Sequence, residues 1–150
     1  MDRQLPGNLI FEDSSLGISY DEEAKVNRTK YSIIIEGTRG GFLSLANAIL
    51  FFSNDLEDNI HIHLLPFVVS DIQFTIECDY SLDEYDGSPE RTQYGKVLQT
   101  GISQFVWKLS ESEIDHVAAS IHSLGHINPE IHFDEGKTLN EISVYCVVGK

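Results

Sequence analysis

Lysine and arginine are missing altogether from residues 40–90, a stretch that carries ten carboxylates: Asp55, Glu57, Asp58, Asp71, Glu77, Asp79, Asp83, Glu84, Asp86 and Glu90. Over the whole chain 10 cations face 24 acids, giving a formal charge of −14 and a pI near 4.6. A field of one negative sign repels DNA, RNA and anionic lipid and steers basic partners toward the surface. Neither nucleic acid nor a membrane is therefore expected as a partner. Apolar runs are short too. None approaches the roughly 18 residues that a membrane-spanning helix needs, and the opening MDRQLPGNLIFED lacks the apolar segment of a secretion signal. A cytoplasmic chain is the expectation. Cysteine is scarce: Cys78 and Cys146 have no close motif spacing, and they read as buried thiols of a reducing compartment. The chain contains no G-x-S-x-G elbow, no G-x-G-x-x-G and no G-x-x-x-x-G-K-[ST]. No catalytic residues and no cofactor are expected, and the protein is read as a non-enzyme.

What is present is patterned. In Leu109-Ser110-Glu111-Ser112-Glu113-Ile114, Ser110 can accept from the N–H of Glu113 while the Glu113 carboxylate reaches back, a capping box with Leu109 and Ile114 as its hydrophobic staple. Ile114, Val117, Ala118, Ile121 and Leu124 then recur at helical spacing, and Gly125 is a natural stop. The spacing predicts a helix over 110–124. Seventy-two residues earlier Thr38 takes the place of Ser110, and Phe42, Leu45, Ala46, Ile49 and Phe52 take the apolar positions, predicting a second helix over 38–52. Ile33 and Ile35 precede the first helix as Phe105 and Trp107 precede the second. Each helix is followed by a short strand, at residues 60–64 and 130–133, and then by an alternating one, at 72–76 and 142–146.

The expected organisation is a single domain over residues 1–150 of the α+β class. It contains an internal strand–helix–strand–strand duplication, with copies at about 31–78 and 103–148 and an acidic linker at 79–92. The simplest architecture is one antiparallel sheet, or two closely joined sheets, with both helices packed on one face and the other face polar. Leu9 and Phe11 with Ile18 and Tyr20 read as an N-terminal hairpin, and residues 94–108 as a long strand or a hairpin bent at Gly101.

Three features bear on chemistry. His61-x-His63 puts two imidazoles on one strand face, and His132 matches His63 in the second copy; a metal centre would need a further ligand at short spacing, which is lacking, so no metal is expected. In Glu36-Gly37-Thr38-Arg39-Gly40-Gly41-Phe42 three glycines sit at a strand-to-helix turn that could hold phosphate. A steric role suits a −14 chain better, with Gly37 making the turn and Gly40 and Gly41 letting the helix start lie close to a strand. Lastly, Tyr80, Tyr85 and Tyr94 are interleaved with Asp79, Asp83, Glu84 and Asp86, as anchor residues in a charged interface would be.

Ile34-Ile35-Glu36-Gly37-Thr38-Arg39-Gly40-Gly41-Phe42-Leu43-Ser44-Leu45-Ala46-Asn47, followed by Ile60-His61-Ile62-His63-Leu64 and Ile72-Gln73-Phe74-Thr75-Ile76, resembles family thirty-two of the bacterial polymorphic-toxin immunity proteins. The resemblance covers about residues 31–78, and the second copy departs from it in lacking the glycines and the Ala-Asn pair. It implies a cytoplasmic antitoxin that binds and blocks a cognate toxin domain, and many such toxins are basic nucleases. The expected partner-binding residues are Asp55, Glu57, Asp58, Asp79, Tyr80, Asp83, Glu84, Tyr85 and Asp86. Two alternatives stand beside it: an acidic nucleic-acid mimic or phage anti-defence protein, and a small metal-dependent hydrolase using His61 and His63.

Overall fold

The computed structural model describes residues 5–21, 31–53, 59–78, 96–133 and 142–149. Along the chain run β1 (Leu16–Asp21), β2 (Tyr31–Gly37), α1 (Arg39–Ser53), β3 (Ile60–His61), β4 (Val68–Ser70), β5 (Gln73–Cys78), β6 (Lys96–Gly101), β7 (Gln104–Leu109), α2 (Glu111–His122), β8 (Glu130–Phe133) and β9 (Ile142–Val148). The class is α+β, and both expected helices form.

Each helix starts where its cap lies. Ser110 accepts from the N–H of Glu113, and Glu113 accepts from the N–H of Ser110 at 3.0 Å, so the box closes and α2 begins at the next residue. Thr38 does the same work for α1, accepting from the N–H of Gly41 at 3.0 Å. α2 closes at its C-cap Ser123, and Gly125, two residues on, has φ +82, the left-handed conformation that turns the chain away from the helix. Ser110→Ala is expected to cost about 0.5–2 kcal/mol, since it strips the acceptor from the first turn; an unmoved denaturation midpoint would mean that α2 does not depend on this cap.

The strands make one curled, mixed sheet in the order β3-β5-β7-β6-β9-β2-β1-β4, with β8 beside β9. This corrects the antiparallel expectation. The pairs β2/β9, β5/β7 and β1/β4 are parallel. Alternation of apolar and polar residues has the same period of two in either kind of ladder, so it assigns faces but not the direction of the neighbour. The strands after each helix stay in their own half, β3 beside β5 and β8 beside β9, while β5 and β9 cross to the other: β5 lies along β7, and β9 along β2.

Register then sets the core. Across β1, β2, β9 and β8 one inward row is Ile18, Ile35, Cys146 and Ile131, and the next is Tyr20, Ile33, Val144 and Phe133. Across β6, β7, β5 and β3 the corresponding row is Val97, Trp107, Ile76 and Ile60. These residues join the buried faces of α1 (Phe42, Leu45, Ala46, Ile49) and α2 (Ile114, Val117, Ala118, Ile121) in one contiguous core. Arg39, at the start of α1, donates from Nη1 to the carbonyl of Leu124 at 2.6 Å, placing a cation just beyond the C-terminus of α2, the end where a positive charge is favourable.

Two further expectations are corrected. Residues 9–20 do not form a hairpin: Gly7–Leu9 is a 3-10 turn, the chain at 11–15 wraps the start of α1, and β1 pairs with β2 and β4. The strand at 60–64 stops at His61, and Ile62–Leu64 is a 3-10 turn. The hairpin bent at Gly101 does form, as β6 and β7 with a register shift between Gln99 and Gly101.

Candidate functional site

The partner-binding residues expected from the sequence, Asp55, Glu57, Asp58, Asp79, Tyr80, Asp83, Glu84, Tyr85 and Asp86, lie outside the described residues, as does Tyr94. The site is therefore built from the features that the fold positions.

The histidines come first. The rings of His61 and His63 meet at 6.0 Å between centroids and 73° between planes, although His63 is on the 3-10 turn and not on a strand. Nδ1 of His61 lies 3.2 Å from the Thr75 hydroxyl. Nδ1 of His63 accepts from the N–H of Phe74 at 3.2 Å, so a neutral His63 carries its proton on Nε2. His132 pairs with Tyr145 on β9, and His61 with Thr75 on β5. Among the described residues, no three His, Cys, Asp or Glu side chains form a group that could hold a metal ion.

The glycine turn is filled by the protein itself. Thr38 Oγ1 also accepts from the N–H of Ser15 at 3.2 Å and donates to the carbonyl of Asp13, while the Thr38 N–H donates to the carbonyl of Ser15 at 3.0 Å. A Cβ on Gly40 would meet the carbonyl oxygens of Glu12 and Asp13 at 2.5 and 2.6 Å, and one on Gly41 the carbonyl of Ser15 at 2.4 Å. The glycines make room for the loop at 12–15, where the expectation was a strand. The loop thus turns its carbonyl oxygens on the glycine turn, occupying the place an anion would need.

On the outer face of the sheet, strand register assembles acids that are far apart in sequence. Val69, Gly17, Glu36, Val147 and Glu130 form one row across β4, β1, β2, β9 and β8; Ser19, Ile34, Tyr145 and His132 form the next across the last four. Glu36, Glu130 and Asp71 are all exposed. A groove of about 560 Å³ lies over β1, between Glu36, Thr38, Val69 and Asp71, and Asp71 separates it from a second groove of about 550 Å³ at His63, Gln73 and Ile102. The outer face of β6, β7 and β5 differs: Lys108 pairs with Glu77 at 3.6 Å there, so its charge is compensated locally. Sequence reading missed Glu36, Asp71 and Glu130 as a set. Only knowledge of strand order brings residues 36, 71 and 130 together.

Tyr145 is the organised aromatic of this face. Its hydroxyl donates to Glu130, and its ring packs on His132 at 4.3 Å and 34°. Burial, and after it the hydrogen bond to Glu130, pushes the phenol from 10.0 up to about 12. Burial also raises the thiol of Cys146 well above its ordinary 9.0. A group raised in the folded state contributes stability that is full below its unfolded pKa and is lost as pH climbs toward the folded one. Stability is thus expected to decline from about pH 9 as Cys146 enters, and further between pH 10 and about 12 as Tyr145 does. Tyr145→Phe should flatten the second part of the decline, read from urea midpoints on either side of that window. An unchanged alkaline slope would mean that Tyr145 does not titrate as a buried group.

Comparison of the chain with models of known protein families gives no match, and comparison with curated proteins gives none. Among the described residues no helix is long and apolar enough to cross a membrane.

Proposed function

We propose that this chain is an immunity-type inhibitor, a cytoplasmic antitoxin that neutralises a cognate basic toxin domain by binding it and not by catalysis. The single observation behind this reading is the one-signed charge: residues 40–90 carry ten carboxylates and no lysine or arginine. Arg39 and Lys108 face local acceptors, the carbonyl of Leu124 and the carboxylate of Glu77. An acidic scaffold of this kind accelerates encounter with a cationic partner, while desolvated aromatic anchors hold the complex once formed. The resemblance of residues 31–78 to the immunity family supports the same reading.

The test is kinetic. After capture of the partner by co-expression with the adjacent gene, the association rate should fall on the order of tenfold or more from low to high salt. The variant carrying D79N, D83N, E84Q and D86N should associate more slowly and show a shallower salt dependence, while Tyr80→Ala or Tyr85→Ala should speed dissociation. A salt-independent rate, equal for wild type and the four-amide variant, would mean that the acidity serves solubility alone.

The two halves are, we further infer, copies of one strand–helix–strand–strand unit that have exchanged their last strands. The pairings Ile35↔Cys146 and Trp107↔Ile76 support this, since the sequence alignment makes Ile35 equivalent to Trp107 and Cys146 to Ile76. Backbone superposition of β2, α1 and β5 on β7, α2 and β9 tests it. A fit that carries α1 onto α2 but leaves β5 away from β9 would reduce the repeat to a coincidence of pattern.

A further inference from the structure

We infer that the outer face of β4, β1, β2, β9 and β8 is a protein-docking surface, and that its groove over β1 takes an arginine side chain from a basic partner. This rests on the inhibitor reading and names where that binding occurs.

The groove exists because of one residue. In the row Val69, Gly17, Glu36 the middle position has no side chain, and a Cβ built there would meet nothing nearer than the carbonyl oxygens of Glu36 and Val69, at 3.8 and 3.9 Å. The floor is therefore the backbone of β1, with Glu36 as one wall, Val69 as the other and Asp71 alongside. Val69 is 79% exposed, an aliphatic side chain standing in water at the rim of the sheet. Among the described residues no cation approaches Glu36 or Asp71, and none lines the groove.

This combination selects among occupants. An apolar side chain would pack on Val69 and Ile34 but would strip water from two carboxylates without replacing it, which is unfavourable. A lysine ammonium offers a compact, strongly hydrated charge that gains little from a flat floor. An arginine fits both parts: its methylene stem covers Val69 and Ile34, and its planar, weakly hydrated guanidinium can lie along the backbone of β1 and donate in fork geometry to Glu36 and Asp71. Beyond the groove, the same face continues into the Tyr145–His132 pair, whose ring is fixed by the bond to Glu130.

The test needs no toxin. The full chain, labelled with nitrogen-15, is titrated with N-acetyl-arginine amide and, in parallel, with N-acetyl-lysine amide, and amide shifts are mapped. Shifts should concentrate at Gly17, Gly37 and Gly149, and should be several-fold larger for the arginine probe. They should vanish both in E36Q/D71N, which changes two exposed side chains, and in Gly17→Val, whose Cβ has room but whose side chain fills the groove. Shifts centred on residues 79–90, equal responses to the two probes, or a response that survives both variants would overturn the inference. A second arm separates it from the inhibitor reading. Once the partner is in hand, E36Q/D71N should weaken the complex on the order of tenfold. A toxin bound equally well by that variant would leave the inhibitor reading standing and remove this site from it.

Discussion

Gly37→Ala is expected to lower the unfolding free energy by about 3 kcal/mol or more, the upper end of what forced overpacking costs. A Cβ at this position would sit 2.1 Å from the carbonyl oxygen of Ser15, 2.5 Å from Cδ2 of Leu16 and 3.0 Å from its Cα. Two of those three atoms are backbone, at Ser15 in the loop and at Leu16 on β1, so the clash is not relieved by a rotamer change. The strand would have to move, and the Thr38 N–H bond to Ser15 and the Leu16↔Gly37 pairing would move with it. Gly7→Ala is the internal control, because nothing lies within 4 Å of that Cβ. The sole tryptophan, Trp107, is fully buried and reports unfolding by its fluorescence. Equal midpoints for the two alanine variants would show that residues 12–15 do not press on the glycine turn. Because Gly37 and Thr38 also line the groove over β1, the destabilised variant should lose the arginine-probe response as well.

Some of this was legible in the sequence because it is local. A capping box needs only four consecutive residues, and Ser110 with Glu113 closes it in space as the letters imply. The alternation at residues 33–35, 105–107, 74–76 and 144–146 assigned the inward faces correctly, since Ile33, Ile35, Phe105, Trp107, Phe74, Ile76, Val144 and Cys146 are all buried. Direction was not encoded in that alternation, so the parallel pairs were missed. The early end of β3 was missed for a different reason. His63 offers its ring nitrogen to the N–H of Phe74, so a side chain takes the place of a ladder carbonyl while the apolar-polar rhythm of residues 60–64 runs on undisturbed.

The candidate site divides the same way. Acids adjacent in sequence, such as Asp83, Glu84 and Asp86, stand out in a linear reading, and they fall outside the described residues. Glu36, Asp71 and Glu130 are single acids in apolar or mixed surroundings and give no linear signal. They share a face only because β9 inserts between β2 and β8 and β1 between β2 and β4. Non-local pairing is what a sequence without its strand order withholds, and a docking face is made of it.

Trp107→Ala is expected to have the largest effect of any single side-chain change, about 3–5 kcal/mol for a large aromatic removed from a closed core. The magnitude follows from where the indole stands. Among the described residues, the part of the sheet containing β5, β6 and β7 joins the part containing β9, β2 and β1 through one backbone pair, Val97↔Ile142. Side chains add to that joint. Trp107 stacks on Phe74 at 6.1 Å within its own part and leans on Phe133 at 5.4 Å, on β8 in the other; Tyr20 and Phe105 make a second such bridge at 4.6 Å. Ile102→Ala, at a side chain 94% exposed on the β6–β7 turn, should be close to neutral. Since the variant lacks the fluorophore, unfolding is followed by far-ultraviolet circular dichroism and hydrogen exchange. If aromatic bridges couple the two parts, amides of β5 and β7 and amides of β8 and β9 should lose protection together and by the same amount. Retention of full protection in β8 and β9 while β5 and β7 open would instead mean that the parts are separate cooperative units, and that the aromatic bridges do not couple them.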